Sequence, residues 1–248
     1  MARPPVRVLS VSAASDRISQ LWQESYALDW FGLLLISIGY VILLITEPFH
    51  RLFSLDDRRI QYPFAETERV PVSMLFVYSL ALPVVIITTV ALASGGKHKN
   101  KWHQLHVSIL GLFLALQFTS FFTDLVKNGV GRPRPDLISR CKPREGTPEH
   151  ELVSYLVCTE TDHHTLHDGF RSFPSGHSSF SFAGLGFLWG QMHALRKGSD
   201  VGRILIGLLP SLGALAIVVT RTEDYRHDVY DVTTGSIIGA MVAIYSYI

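Results

Sequence analysis

The chain has 248 residues, of which 48% are hydrophobic and 17% charged, and its mean hydropathy is +0.25. So much apolar sequence with so few charges excludes an ordinary soluble domain of this length. The formal net charge is only +1 and no basic stripe of the kind that binds nucleic acid occurs, so a nucleic-acid partner is excluded as well. We expect a single all-α integral-membrane domain over residues 1–248.

The amino-terminal leader, residues 1–29, lacks the continuous apolar core of a cleaved signal peptide. Its stretch 15–28 instead carries apolar residues at helical spacing with charged residues between them. This pattern predicts a helix lying in the membrane interface. A disordered leader with incidental apolar residues is the alternative.

Six uncharged runs follow, each close to or above the roughly 17 residues that cross a hydrocarbon core as a helix. We therefore predict six transmembrane helices and a helical-bundle site. The fourth run carries Gln191 and His193 near one end, so its apolar character is the least continuous. The runs cover residues 30–46, 70–96, 107–123, 178–192, 204–220 and 232–248.

The fourth and sixth predicted helices each contain a pair of glycines four residues apart. The pairs are Gly186 with Gly190 and Gly235 with Gly239. This spacing lets neighbouring helices approach closely. Glycine is also common enough in membrane spans for the spacing to arise by chance.

Basic residues cluster in the leader and in the connections 94–103 and 196–203, which alternating spans place on one side of the membrane. That side is expected to be cytosolic. The connections 47–69 and 124–177 hold nearly equal numbers of acids and bases. The amino terminus should therefore face the cytosol, and 124–177 should form a loop in the lumen of the vacuole or another endomembrane compartment, or outside the cell. The basic residues are Arg3, Arg7, Arg17, Lys97, Lys99, Lys101, Arg196, Lys197 and Arg203.

Both cysteines, Cys141 and Cys158, fall in the loop 124–177. In an oxidising compartment we expect a disulfide between them, which would contribute about 3 kcal/mol by restricting the unfolded chain. Two free thiols are the alternative. The spacing Cys-x16-Cys does not resemble half of a zinc site, and no second pair of cysteines exists.

Three short patterns, K-x6-RP, PSGH and R-x5-H-x3-D, together supply the groups that transfer a phosphoryl group. Alternating spans place all three on one membrane face. The nonbridging oxygens of a phosphate monoester require fixed positive charge, which Lys127, Arg134 and Arg221 can supply. Each cation alone could be an interface anchor, because Lys and Arg commonly flank spans.

His227 and Asp231 lie four positions apart, which puts them on one face if the sixth helix begins near His227. A carboxylate on one imidazole nitrogen fixes the tautomer and leaves the other nitrogen free to attack phosphorus. We predict that His227 is the nucleophile and that water hydrolyses the resulting phosphohistidine. A lone histidine at a helix start is otherwise a capping or interfacial residue.

The run Pro174-Ser175-Gly176-His177 reads as a turn that opens the fourth helix. The amides of Ser175 and Gly176 are predicted to be free donors to phosphate, and Ser175 to cap the helix and donate its hydroxyl. His177 then suits general acid catalysis, protonating the leaving oxygen. For this run alone, a serine cap beside an unrelated histidine is the alternative.

Two other polar groups each allow two interpretations. The runs Asp162-His163-His164 and His167-Asp168 could form a metal site, but a hydrated loop favours solvated side chains, and the expected chemistry needs no metal. Arg132, beside Arg134, could reach the second phosphate of a diphosphate substrate or could only balance the charge of the loop.

These residues resemble the three-part signature of the type 2 phosphatidic acid phosphatase superfamily. One position departs from it, since Thr220 stands where the family usually has Ser before Arg221. The resemblance implies six helices, the nucleophile and acid roles given above, and activity with no cofactor or divalent metal. The runs 67–70, 74–79 and 168–171 also resemble the fungal diacylglycerol pyrophosphate phosphatases, and that similarity covers most of the chain.

The expected function is therefore magnesium-independent hydrolysis of diacylglycerol pyrophosphate and/or phosphatidate in the bilayer, with phosphate or vanadate as site ligands. Isoprenoid or sphingoid phosphates are alternative substrates. A vanadium haloperoxidase would use the same pocket, but such enzymes are large and soluble. A lipid-binding or transport protein on an inactive phosphatase scaffold is the remaining alternative.

Overall fold

The computed structural model describes residues 25–93, 101–194 and 201–247. Over these ranges the regular structure is helical, with two isolated bridges between extended segments, so the all-α class is confirmed. The predicted interfacial helix and most of the basic residues used for orientation fall outside the described residues. The helices are α1 Ala27–Ile45, α2 Val72–Ala93, α3 Lys101–Val130, α4 Leu137–Cys141, α5 His163–Asp168, α6 Gly176–Ala194, α7 Val201–Glu223 and α8 Val229–Tyr247.

Five helices are long and apolar enough to cross a membrane: α1, α2, α3, α8 and the Ile204–Glu223 part of α7. Their outer faces expose large apolar side chains such as Leu34, Val85 and Leu209, which are more than half exposed. In water such a surface would be unfavourable, whereas lipid tails cover it without cost. This architecture is that of a multi-pass membrane protein.

The fourth predicted span is present as helix α6, but α6 is not among the five apolar helices. It packs against α3, α7 and α8, so protein rather than lipid surrounds most of it. Its first two turns bury Ser178, Ser179 and Ser181, whose hydroxyls donate hydrogen bonds within the helix turn. An enclosed helix can carry such polar residues, and this is why its sequence is less apolar than that of its neighbours.

Close contact between α6 and α8 depends on the two glycines of α8. A Cβ atom added at Gly235 would lie 2.4 Å from the Ser175 carbonyl oxygen, and one at Gly239 would lie 2.1 Å from that of Ser179. Both distances are far below van der Waals contact, so only glycine fits. The predicted close approach is confirmed for the pair in α8, whereas Gly186 and Gly190 meet only side-chain atoms, at 3.3 Å.

The connections 46–71 and 131–175 pack on each other at the end of the helices that carries the sequence patterns. They share a small apolar core around Phe53, Leu137 and Phe170. Phe53 and Val153 exchange backbone hydrogen bonds of 3.1 and 2.8 Å, which join the two connections. Cys141 and Cys158 form a disulfide in the structure.

Candidate active site

The three sequence patterns come together where the last turns of α3 and α7 meet the first turns of α6 and α8. Most of the charged members are buried, including Arg221 and Asp231, which are each 1% exposed. Buried charges are tolerable only when they are paired, so the partners of each residue define the site. The residues brought together are Lys127, Arg134, Ser175, Gly176, His177, Arg221, His227 and Asp231.

His227 lies in the turn between α7 and α8, buried to 3% exposure. Its Nε2 is 3.5 Å from Nη1 of Arg134, and its Nδ1 is 3.7 Å from Oδ2 of Asp231. The second distance allows a charge interaction but exceeds a hydrogen bond. The sixth predicted helix begins near His227, as expected: α8 starts at Val229, two residues later, and the His227 N–H donates to the Arg221 carbonyl at 3.3 Å.

Burial lowers the pKa of His227 well below its usual value, and the nearby cations Arg134 and Lys127 lower it further. The ring therefore stays neutral at physiological pH. A neutral imidazole keeps a lone pair, which attack on phosphorus requires.

Asp231 is held by three donors. The Ser172 hydroxyl donates at 2.6 Å and the Asp228 N–H at 3.1 Å to Oδ2, while Nη1 of Arg132 donates at 2.8 Å to Oδ1. Arg132 also pairs with the Asp228 carboxylate. Of its two interpretations, the contacts favour charge balance, because Arg132 is occupied by carboxylates that fix the Asp231 side chain.

Lys127 and Arg134 are anchored beside the first turn of α6. Nζ of Lys127 donates to the Arg171 carbonyl at 3.1 Å and lies 3.7 Å from a Cβ atom placed on Gly176. Arg134 donates from Nη2 to Oδ1 and from Nε to the carbonyl of Asp168, both at 2.8 Å. These contacts hold the lysine beside Gly176 and the arginine beside His227.

Asp168 was not expected to belong to the site. Besides Arg134 it accepts from Nη1 of Arg140 at 3.1 Å. Burial raises the pKa of Asp168, but Arg134 and Arg140 outweigh burial and hold the pKa far below its usual range. Asp168 therefore stays ionised and stiffens the Arg134 guanidinium. The only sequence signal for it is its place in the run 168–171.

Arg221 is the most completely paired of the three cations. Its Nη1 donates to Oε2 of Glu68 at 2.8 Å, its Nη2 to Oδ2 of Asp224 at 3.1 Å, and its Nε to the Thr220 hydroxyl at 3.2 Å. Threonine thus performs here the acceptor role that a serine hydroxyl could perform.

One prediction for Ser175 is wrong. Its N–H is not free, because it donates to the Asp231 carbonyl at 3.0 Å. Its predicted cap is confirmed, since Oγ accepts from the Ser178 N–H at 3.4 Å and from the Ser178 hydroxyl at 3.0 Å. Gly176 begins α6, so its amide has no acceptor within the helix and is left as the backbone donor for an anion.

His177 faces the segment that precedes α2. Its Nε2 is 3.1 Å from the Val70 carbonyl and 3.6 Å from Oε2 of Glu68. A carbonyl can only accept a hydrogen bond, so Nε2 carries a proton. Glu68, like Asp168, was missed as a site residue, and its only sequence signal is its place in the run 67–70.

The histidines of the loop meet a carboxylate from the connection 46–71. The structure places ligand atoms of Glu47, His163 and His167 within 4.8 Å of one another. Glu47 and His163 are exposed and make a 3.0 Å contact. Two of the three residues are thus in solvent, in agreement with the solvated interpretation.

A model of the PAP2 superfamily matches residues 108–248, which is more than half of the chain. The chain belongs to this superfamily. It is 42% identical to Diacylglycerol pyrophosphate phosphatase 1 of Saccharomyces cerevisiae, over 87% of this chain and 75% of the yeast protein. It is 38% identical to "Probable diacylglycerol pyrophosphate phosphatase 1" of Schizosaccharomyces pombe, over 88% of this chain and 79% of that one. It is 35% identical to Lipid phosphate phosphatase 2 of Arabidopsis thaliana, over 89% of this chain and 75% of the plant protein.

Among solved structures, Aquifex aeolicus LpxE covers 74% of this chain and 98% of its own, at 17% identity and a TM-score of 0.32. That score is too low to support a conclusion about this chain.

Proposed function

We propose that this PAP2 protein is a membrane-bound lipid phosphate phosphatase that hydrolyses diacylglycerol pyrophosphate and phosphatidate through a phosphohistidine. The observation that carries the proposal is a polar pocket with a neutral histidine, paired cations and a second histidine at the end of an apolar groove. The names of the three relatives agree with it.

The groove has a volume of about 450 Å³ and lies between α2, α6 and α7. Its lining is almost wholly apolar, with side chains such as Leu82, Leu185 and Leu209. One end is formed by Val70 and Thr220. The Val70 carbonyl accepts a hydrogen bond from His177, and the Thr220 hydroxyl accepts one from Arg221. An acyl chain in the groove would therefore deliver its head group to the cations, which favours a lipid over a soluble phosphate ester.

In the proposed first step, a ring nitrogen of His227 attacks phosphorus while Lys127, Arg134 and Arg221 stabilise the charge on the nonbridging oxygens. The P–N bond forms as the bond to the leaving oxygen breaks. The electron pair goes to that oxygen, which takes a proton from His177.

In the second step, water attacks the phosphohistidine and gives its proton to the now neutral His177. The P–N electron pair returns to His227, and phosphate leaves. Both histidines end in their starting protonation states, so the cycle closes without a metal. The Asp231 carboxylate, held by three donors, stabilises the positive charge that develops on the His227 ring.

We also propose that α6 is a sixth span and that residues 1–248 form one domain. On this topology the amino terminus is cytosolic and the site faces the lumen of an endomembrane compartment or the exterior. The disulfide supports this orientation, because disulfides persist in oxidising compartments and are rare in the cytosol.

The test is phosphate release by the purified protein in mixed micelles. Diacylglycerol pyrophosphate, phosphatidate, a sphingoid phosphate and an isoprenoid phosphate are compared at equal mole fraction, each with and without EDTA. We expect the two glycerolipids to be hydrolysed fastest and EDTA to have no effect, with His227→Ala as the inactive control. Activity that appears only on adding magnesium after chelation, or preference for an isoprenoid or sphingoid phosphate, would refute the proposed chemistry or substrate.

A further inference from the structure

Glu68 is a carboxylate inside a pocket built to bind an anion. It comes from the segment before α2, more than 100 residues away in sequence from the groups it meets. Oε2 accepts from Arg221 at 2.8 Å and lies 3.6 Å from Nε2 of His177, while Oε1 is 3.2 Å from Nη2 of Arg226. A negative charge here weakens phosphate binding, so its presence requires a compensating role.

The position of Arg221 does not depend on Glu68 alone. Asp224, which is 2% exposed, and the Thr220 hydroxyl also hold the guanidinium. Arg226 has a second anchor as well, because its Nη2 donates to the Ala65 carbonyl at 2.8 Å. Among the described contacts of His177, by contrast, Glu68 is the only carboxylate.

The nitrogen of His177 that faces Glu68 and the Val70 carbonyl is Nε2. With that nitrogen hydrogen-bonded to the Val70 carbonyl at 3.1 Å and within charge contact of Glu68 at 3.6 Å, the opposite nitrogen, Nδ1, is left to face the leaving oxygen. His177 can donate from Nδ1 only as the doubly protonated imidazolium. The cations Lys127, Arg134 and Arg221 oppose that charge, and Glu68 is the group that offsets them.

We propose that Glu68 is the positioning residue of the acid histidine, holding Nε2–H of His177 so that Nδ1–H can protonate the leaving oxygen. This inference rests on the proposed function. As the bond from phosphorus to the leaving oxygen breaks, the Nδ1 proton moves to that oxygen, and Glu68 remains ionised beside neutral His177. The proton that water releases in the second step restores the imidazolium.

The two glycerolipid substrates separate this role from a structural one. Phosphatidate releases an alkoxide, which must be protonated as it leaves. Diacylglycerol pyrophosphate releases phosphatidate, whose charge is delocalised over phosphate oxygens, so breaking of the bond depends far less on the proton that His177 gives. Glu68 therefore matters for the first substrate far more than for the second, and so sets the ratio of the two activities.

The test compares kcat/KM for both lipids, with identical acyl chains, in Glu68→Gln and in Glu66→Gln. Glu66 is exposed in the same segment and serves as the matched control. The parameter kcat/KM covers steps only up to departure of the leaving group. We expect Glu68→Gln to lose about 100-fold with phosphatidate, a usual contribution of acid catalysis, and a few-fold or less with diacylglycerol pyrophosphate. Glu66→Gln should match wild type.

Inhibition by vanadate shows whether the pocket is intact. Glu68→Gln should bind vanadate as well as wild type or more tightly, because a competing charge beside Arg221 is gone. Glu68→Asp, which keeps the charge, should recover part of the phosphatidate activity. Equal losses on both lipids, weaker vanadate binding, or no loss at all would overturn the role of Glu68. If the wild-type protein hydrolyses neither lipid, the proposed function fails instead.

Discussion

The backbone N–H of Ser175 donates a 3.0 Å hydrogen bond to the carbonyl of Asp231, and so joins the residue before α6 to the first turn of α8. His177 lies shortly after Ser175 in the sequence, and His227 lies shortly before Asp231. The link holds the backbone that carries the proposed acid against the backbone that carries the proposed nucleophile. Rotation of side chains does not change this backbone spacing.

The first prediction concerns the division of labour between the two histidines. His227→Ala should abolish the phosphoenzyme, because it removes the ring nitrogen proposed to attack phosphorus. His177→Ala should lose phosphatidate turnover but keep slow phosphorylation by diacylglycerol pyrophosphate, whose leaving group depends far less on protonation. Rapid-quench labelling with ³²P-labelled lipid measures both. Label trapped on His227→Ala protein would show that the nucleophile is another residue.

The second prediction concerns the helix contact that carries the link. In Gly235→Ala the new methyl group meets the Ser175 carbonyl at 2.4 Å, so α6 and α8 must separate. Overpacking of this kind costs about 1–3 kcal/mol, and we expect a lower unfolding temperature and activity reduced about 10-fold or more. Gly32→Ala is the matched control, since nothing lies within 4 Å of a Cβ atom placed there. Equal behaviour of the two variants would argue against a rigid link.

The identities of the catalytic groups could be predicted because their chemistry fixes residue type and local spacing. Their partners could not. Glu68 meets Arg221 across 153 positions and Ser172 meets Asp231 across 59, and no local pattern encodes such pairs. The same limit explains the wrong prediction at Ser175. Local rules leave the amide before a helix without an acceptor, but here it donates to the Asp231 carbonyl of α8.

Helix positions were predictable where lipid surrounds the helix and less so where protein does. The runs predicted for α1, α2, α3, α7 and α8 match the observed apolar helices within a few residues at most ends. The exception is α3, which runs from Lys101 to Val130 and so extends beyond both ends of the uncharged run 107–123. Helix α6 is the central helix, and its buried serines lower its apolar character, so hydropathy underestimates it.

The third prediction is a shift in pH dependence. Burial and then Arg134 lower the pKa of His227, so removing the Arg134 charge should raise that pKa. Protonated His227 has no lone pair, and the acidic limb of phosphoenzyme formation should move to higher pH in Arg134→Gln. The midpoint is read from rapid-quench rates at saturating substrate, so that weaker binding does not enter. Arg144→Gln, in the exposed part of the loop, should leave the midpoint unchanged. A midpoint that stays in place or moves to lower pH would mean that Arg134 does not act on His227.

The fourth prediction concerns topology and includes α6. Glu149→Cys, Lys99→Cys and Lys197→Cys each add one thiol to a chain whose own cysteines are joined in a disulfide. In sealed, oriented vesicles, a membrane-impermeant maleimide should reach Glu149→Cys from the lumenal or outer side. It should reach the other two from the cytosolic side, because basic connections stay in the cytosol. Positions 99 and 149 flank α3, so they must label from opposite sides if that helix spans.

Positions 149 and 197 flank α6, and their sidedness decides its status. Opposite labelling makes α6 a sixth span, as its 19 residues allow. Labelling of both from the lumenal or outer side would make α6 re-entrant and reduce the spans to five. Labelling of Glu149→Cys from the cytosolic side would instead reverse the protein, and phosphate would then be released at the cytosolic leaflet. Non-reducing mass spectrometry of the same samples should find Cys141 joined to Cys158, since a loop in an oxidising compartment keeps its disulfide.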